Sequence, residues 1–118
     1  MKKVYFLSTC STCQRIIKEL GIGKEFDYQD IKKEAITAEQ LDEMKEMTGC
    51  YEALFSRNSM KYKQWGLKDK NLTERDYRKY ILDEYTFLKR PVFIVDEKIY
   101  IGNSKNNISE LALYLYHN

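Results

Sequence analysis

Cys10 and Cys13 are the residues of this chain whose type and spacing could do chemistry. A thiolate is a nucleophile and a thiol is not. Cys10 follows a short apolar run and precedes a helical pattern, so it should sit at a helix start. There, unpaired backbone N–H groups and the positive end of the helix dipole favour the thiolate. Cys13 lies one turn further on, on the same side. It can attack a sulfur adduct formed on Cys10, release the product and leave an intramolecular disulfide. Cys10 reads as nucleophile and Cys13 as resolving thiol. Cys13 also falls on an apolar stripe, so a small core residue is an alternative reading. A zinc site would need two more ligands, and only Cys50 and His117 are at hand, at no recognised spacing; no metal is expected. Cys50 follows Gly49 with no basic neighbour in sequence and is expected to be inert.

The elements that must position this pair are legible from periodicity. Val4-Tyr5-Phe6-Leu7 is a short apolar run of strand formers, ended by Ser8-Thr9. Cys13, Ile16, Ile17 and Leu20 then follow the helical i, i+3, i+4, i+7 spacing, and Gly21 and Gly23 stop it. Phe26, Tyr28 and Ile31 suggest a second strand. Thr37 to Gln40 forms a capping box with Ile36 and Leu41 as a staple, and Gly49 closes that helix. Short helical pieces are expected at Tyr51–Phe55 and Met60–Trp65. Thr73 to Asp76 opens a helix whose face runs through Tyr77, Tyr80, Ile81 and Leu88, broken at Lys89-Arg90-Pro91. Val92–Val95 and Ile99–Ile101 form a hairpin about Asp96-Glu97-Lys98. A last helix begins at Asn107, with Ile108, Leu111, Ala112 and Leu115 on one face.

The order is βαβ, a helical block, then ββα. This is an α/β chain of thioredoxin-like architecture: one domain over 1–118, with residues 36–88 as a helical insertion within it. In that architecture a cis-proline faces the cysteine pair at the position of Pro91, the only proline in the chain. A cis Arg90–Pro91 bond is therefore expected, and Pro91 is taken as structural at the site.

Composition narrows the function classes. The chain has 118 residues, 43% hydrophobic and 32% charged, the size and balance of one ordinary domain. No stretch approaches the roughly 20 apolar residues of a membrane span. The start MKKVYFLSTC is too short in apolar residues for a secretory signal, whose apolar core runs to about 7–15. A cytoplasmic location with thiols mostly reduced is the expectation. The net charge of +2, from 20 basic and 18 acidic residues, argues against a general nucleic-acid binder. Lys61, Lys63, Lys68 and Lys70 read as a solvated face. The 10 tyrosines mostly fit amphipathic packing.

Tyr5 to Cys13, the central helical insertion, Phe55-Ser56-Arg57-Asn58 and Leu88-Lys89-Arg90-Pro91-Val92 together resemble the arsenate reductase and Spx family of thioredoxin-like proteins. The resemblance runs from Val4 to the last helix. It implies that Cys10 attacks the oxyanion and that Arg57 and Arg90 hold its oxygens. Ser11 and Thr12, at the helix start, join them in the anion-binding set. A third arginine is implied near Ile101-Gly102-Asn103, where this sequence has none. Reductases of this type draw electrons from glutathione and glutaredoxin, with thioredoxin as the other donor to consider, and need no cofactor. Cys13 and Gly102 instead resemble Spx-type regulators, which use C-x-x-C as a redox switch and bind the C-terminal domain of the RNA polymerase alpha subunit.

Two guanidinium groups near a helix start would make an anion site and lower the Cys10 pKa further. Each arginine could equally be a surface or ion-paired residue. Three readings stay open: a reductase acting on a small oxyanion or an oxidised thiol, an Spx-like partner of RNA polymerase, and a binding module whose cysteines serve packing. No direct nucleic-acid or membrane partner is expected.

Overall fold

The computed structural model describes residues 1–116; His117 lies outside them. In chain order the elements are β1 (Lys2–Phe6), α1 (Ser11–Leu20), β2 (Asp27–Asp30), α2 (Ala38–Thr48), α3 (Met60–Gln64), α4 (Glu74–Asp83), β3 (Val92–Val95), β4 (Lys98–Ile101) and α5 (Lys105–Tyr116). Single 3₁₀ turns stand at Glu52–Leu54, Leu67–Asp69 and Tyr85–Phe87. The chain divides into two compact units, one of Met1–Glu34 with the segment from Arg90 onward, the other of Ala35–Lys89.

The first unit is built on a sheet of order β2-β1-β3-β4. β2 runs parallel to β1, with Val4 opposite Tyr28. β3 is antiparallel to β1 and β4 antiparallel to β3. Along the chain the elements run βαβ, a helical block, then ββα, the thioredoxin-like order that the sequence predicts. The hairpin between β3 and β4 turns at Asp96, which takes a left-handed φ of 57°. Parallel pairing of β1 and β2 requires a crossover, and α1 supplies it. Its buried residues Cys13, Ile16 and Leu20 keep the helical spacing. Ile16 and Leu20 join Val4, Phe26, Phe93, Val95, Tyr100 and Leu111 in one apolar cluster. Burying side chains of this size stabilises by about 1.5–3 kcal/mol each. Ile108, Ala112 and Leu115 of α5 pack against the same cluster.

In the second unit, Thr37 caps α2. Its side chain accepts from the Gln40 N–H at 3.0 Å, and the Gln40 side chain accepts from the Thr37 N–H at 3.1 Å. Thr73 and Asp76 make the same reciprocal pair at the start of α4. Gly49 ends α2 at φ 97°, a conformation that glycine adopts without the steric cost of a Cβ. Phe55 stacks on Phe87 at 5.0 Å and tilts against Tyr77 at 4.9 Å. Leu54, Phe55, Leu67, Ile81, Phe87 and Leu88 are buried.

Three details differ from the sequence reading. α4 ends at Asp83 instead of running to Leu88. The Glu84 side chain accepts from the Thr86 N–H and caps a separate 3₁₀ turn, which lets Phe87 and Leu88 both be buried. α5 starts two residues before Asn107, because the Ser104 hydroxyl accepts the Asn107 N–H at 3.1 Å and the Ser104 carbonyl accepts the Ile108 N–H. In β2 the buried residue is Gln29 at 1% exposure, while Tyr28 is 38% exposed. β2 is an edge strand, so Tyr28 reaches the rim and meets Phe6 edge-on at 6.0 Å. Gln29 is satisfied by donating to the Glu34 carbonyl at 3.1 Å.

Among the described residues no helix is long and apolar enough to cross a membrane.

Candidate active site at the start of the first helix

β1 ends at Phe6 and α1 begins at Ser11, so the four residues between them must turn the chain through the end of the sheet. The Cys10 N–H donates to the Leu7 carbonyl at 2.9 Å, closing the turn. Cys10 takes an extended backbone (φ −95°, ψ 110°) and stands as the N-cap of α1. Its carbonyl accepts the first helical bond, from the Gln14 N–H at 3.2 Å. No side chain caps this helix start. The N–H groups of the first turn are thus left facing the Cys10 sulfur.

Two polar residues hold the turn, and neither belongs to a motif. Asp30 ends β2. In a parallel pair the C-terminal ends of β1 and β2 lie side by side, and the Asp30 Oδ1 accepts from the Ser8 N–H at 3.3 Å and the Lys32 N–H at 3.2 Å. The Ser8 hydroxyl is the largest influence holding the Asp30 carboxyl below the usual carboxylate range, against burial. From the helix side, the Gln14 side-chain amide donates to the Ser8 carbonyl. The sequence signal for Asp30 is its place at the end of a strand paired in parallel with β1; the pairing itself is a tertiary fact.

The two thiols differ sharply. Cys10 is partly exposed and Cys13 is fully buried, at 0% exposure. Burial would raise the Cys10 pKa. Hydrogen bonds from the Cys13 N–H, the Cys13 thiol and the Thr12 N–H, together with the charge of Arg90, outweigh it and hold the group below its ordinary value. Cys13 goes the other way. Burial, its hydrogen bond to Cys10 and the Cys10 charge push it up to about 11, against a Leu7 backbone hydrogen bond and the Arg90 charge. No disulfide joins them. Ser11 is exposed and Thr12 half-buried on the first turn of α1.

Arg90 and Pro91 open the return of the chain into β3. Pro91 is buried, and the Arg90–Pro91 peptide bond is cis, as the order of elements predicts. The Pro91 carbonyl accepts the Gly102 N–H at 2.9 Å. Gly102 has φ 88°, and its own carbonyl accepts from the Asn107 side chain at 2.9 Å. The stretch Ile101–Asn103 is thus anchored directly to Pro91, although it carries no arginine.

Cys10, Cys13, Ser11, Thr12, Arg90 and Pro91 all belong to the first unit. Arg57 belongs to the second. There its Nη2 donates to the Glu52 carboxylate at 2.9 Å and to the Tyr77 hydroxyl at 2.9 Å. The loop position does not leave it loose: its guanidinium also lies 5.7 Å from the Tyr77 ring and 5.9 Å from the Phe55 ring. Cys50 is half-buried, and its carbonyl accepts from the Thr48 hydroxyl at 2.9 Å. Among the described residues no group of three His, Cys, Asp or Glu side chains is arranged to hold a metal ion.

Comparison with known proteins places this geometry in a family. An arsenate reductase from Vibrio cholerae superposes with a TM-score of 0.76 at 17% identity, covering 92% of this chain and 95% of that one. A possible arsenate reductase from Streptococcus mutans gives a TM-score of 0.72 at 26% identity, covering 94% and 97%. An arsenate reductase related protein from Brucella melitensis gives 0.69 at 22%, covering 98% and 94%. No curated protein sequence gives a significant match. The sequence profile of the ArsC family matches residues 5–111, a span that takes in Cys10, Cys13, Arg57, Arg90 and Pro91 and runs from the end of β1 into α5, and the chain therefore belongs to the ArsC family.

Proposed function

We propose that this protein is a cytoplasmic thiol reductase of the arsenate reductase type, with Cys10 as nucleophile and Cys13 as resolving thiol. The observation that carries the reading is the opposed pair of thiols at the α1 start: one acidified beside Arg90, the other buried and kept protonated. A small oxyanion such as arsenate would meet the helix N–H groups at Ser11 and Thr12 and the guanidinium of Arg90. The Cys10 thiolate attacks the As(V) centre, and one oxygen leaves as water after taking up a proton. Cys13 then attacks the Cys10 sulfur, giving up its own proton. The S–As electron pair stays on arsenic, which departs as As(III), and the Cys10–Cys13 disulfide holds the two oxidising equivalents. A dithiol donor, glutaredoxin with glutathione or thioredoxin, returns the pair to the reduced state. No bound cofactor enters this cycle. Residues 36–88 would serve as an insertion of the same domain.

The pairing of Cys10 with Cys13, and the absence of an arginine at 101–103, favour a second reading. In it the same disulfide is a switch that controls binding to the RNA polymerase alpha subunit. Turnover of arsenate with glutathione plus glutaredoxin, and separately with thioredoxin, tests the first reading. Donor-dependent arsenite release that is lost in Cys10→Ser supports it. No turnover with either donor, combined with redox-dependent retention on the polymerase alpha C-terminal domain, favours the second reading over it.

A further inference from the structure

Ser8, Thr9 and Cys10 lead the chain from β1 into α1, and hydrogen bonds fix both ends of this short run. At Cys10 the bonds are backbone to backbone: its N–H donates to the Leu7 carbonyl at 2.9 Å, and its carbonyl accepts the Gln14 N–H at 3.2 Å. At Ser8 they depend on side chains. Asp30 Oδ1 accepts the Ser8 N–H at 3.3 Å, and the Gln14 side-chain amide donates to the Ser8 carbonyl. Both backbone groups of Ser8 are thus held, one from β2 and one from α1. Each holder is itself anchored. Asp30 stands opposite Phe6 in the parallel register, and its carbonyl accepts the Lys33 and Glu34 N–H groups at 3.0 and 2.8 Å. The backbone of Gln14 is tied to the Cys10 carbonyl. The Cys10 sulfur in turn takes hydrogen bonds from the Cys13 and Thr12 N–H groups, and such bonds weaken steeply when they are misaligned. A carboxylate near a thiolate works against it by charge, so the use of Asp30 here is geometric.

We propose that Asp30 and Gln14 are positioning residues for the reaction at Cys10, a clamp on Ser8 that keeps the nucleophilic sulfur aligned with the open N–H groups of the first turn of α1. The proposal rests on the reading above, in which Cys10 is the nucleophile. Neither residue touches the reacting atoms; both act through the backbone of Ser8. The clamp joins the end of β2 to α1, so the nucleophile is referred to the sheet and to the helix at once.

The test is the rate of iodoacetamide alkylation against pH, read at Cys10 by peptide mapping, in the reduced wild type, Asp30→Ala, Asp30→Asn and Gln14→Met. Asp30→Ala and Gln14→Met should each move the Cys10 midpoint up by about half to one unit, the scale of one misaligned hydrogen bond. Asp30→Asn keeps an oxygen for the Ser8 N–H and should titrate at or slightly below the wild type. Gln14 is exposed and uncharged, so its variant keeps the fold and reports alignment alone. Amide hydrogen exchange at Ser8 and Cys10 should quicken in the two variants whose midpoint rises. Equal downward shifts in Asp30→Ala and Asp30→Asn overturn the clamp, since Asp30 then acts by its charge. Faster exchange with an unmoved midpoint also overturns it, because the two residues then hold the loop without setting the sulfur. Both outcomes leave Cys10 as the nucleophile. A wild-type Cys10 that titrates at the free value of about 8.5 overturns that reading, and the clamp with it.

Discussion

Cys10 and Cys13 carry the same chemical group one helical turn apart, and their surroundings pull them in opposite directions. What lowers Cys10 is a set of donors aimed at its sulfur, plus the charge of Arg90. What raises Cys13 is first its burial and then the negative Cys10 sulfur itself. The second cause vanishes once Cys10 is capped. Cys13 therefore becomes more acidic only once Cys10 has lost its negative charge, which in the proposed cycle would order the two steps. Cys10→Ser should lower the Cys13 pKa from about 11, without bringing it to the free value of about 8.5, because burial persists. Alkylation rate against pH in that variant measures it; a Cys13 pKa that stays at 11 would show that burial alone sets it. Arg90 can be weighed in the same way. Arg90→Ala should raise the pKa of both thiols, since its charge lowers both. Arg90→Lys should restore the thiolate more fully than it restores affinity for sulfate or arsenate, because an ammonium returns the charge but not the bidentate fork. Titration of Cys10 at low salt in the three proteins separates this from a purely structural arginine, for which no thiol pKa would move.

At the scale of elements, what the sequence discloses is what is local. Thr37 with Gln40 and Thr73 with Asp76 lie three residues apart, so both capping boxes can be read off the chain. So can the stripe of α1 and its Gly21 stop, where the glycine takes φ 65°. The cysteine pair and the proline before β3 are legible for the same reason. What is not legible depends on partners distant in sequence. Asp30 reaches Ser8 across 22 positions, and Arg57 meets Tyr77 across 20. Gln29 turns inward because a carbonyl at Glu34 awaits it, a contact that no alternation pattern encodes. α4 stops short because the Glu84 side chain starts a new turn, a competition between two local structures of similar propensity. The capping of α2 gives a measurable consequence. Thr37→Ala removes the acceptor for the Gln40 N–H and should cost about 1 kcal/mol. For a chain of this size that is a fall of about 4 °C in Tm. Thermal denaturation followed by circular dichroism checks it, and Thr37→Ser should recover most of the loss.

At the scale of the whole molecule, protons held or refused by named groups set the pH range over which the fold persists. Asp42 receives the Arg78 Nε at 2.9 Å, the Arg78 Nη2 at 3.1 Å and the Tyr51 hydroxyl at 2.6 Å. Arg78 first, then Tyr51, holds its carboxyl at about 2. Asp30 and Asp76 are also held low by hydrogen bonds. In the unfolded chain an aspartate titrates near 3.9, so there the unfolded state binds the proton more readily. The stability these groups contribute is whole above about pH 4 and is lost as the pH falls towards 2. On the alkaline side the sign reverses for Cys13. The native thiol keeps its proton to about 11, the unfolded one loses it from about 8.5, and stability declines between those values. Cys10 opposes this in part, since its lowered native pKa contributes stability as the pH rises through it. Tyr28 and Tyr100, raised by burial, extend the decline above about pH 10. Under reducing conditions Tm plotted against pH should therefore fall at both ends. Asp42→Asn should make the acid limb shallower by removing its most strongly shifted carboxyl. Cys13→Ser, whose hydroxyl does not titrate in this range, should delay the alkaline decline until the tyrosines begin to ionise. An alkaline limb that starts at the same pH with and without Cys13 would mean that the buried thiol loses its proton as easily in the folded chain as in the unfolded one, and the division of roles between the two cysteines would fall with it.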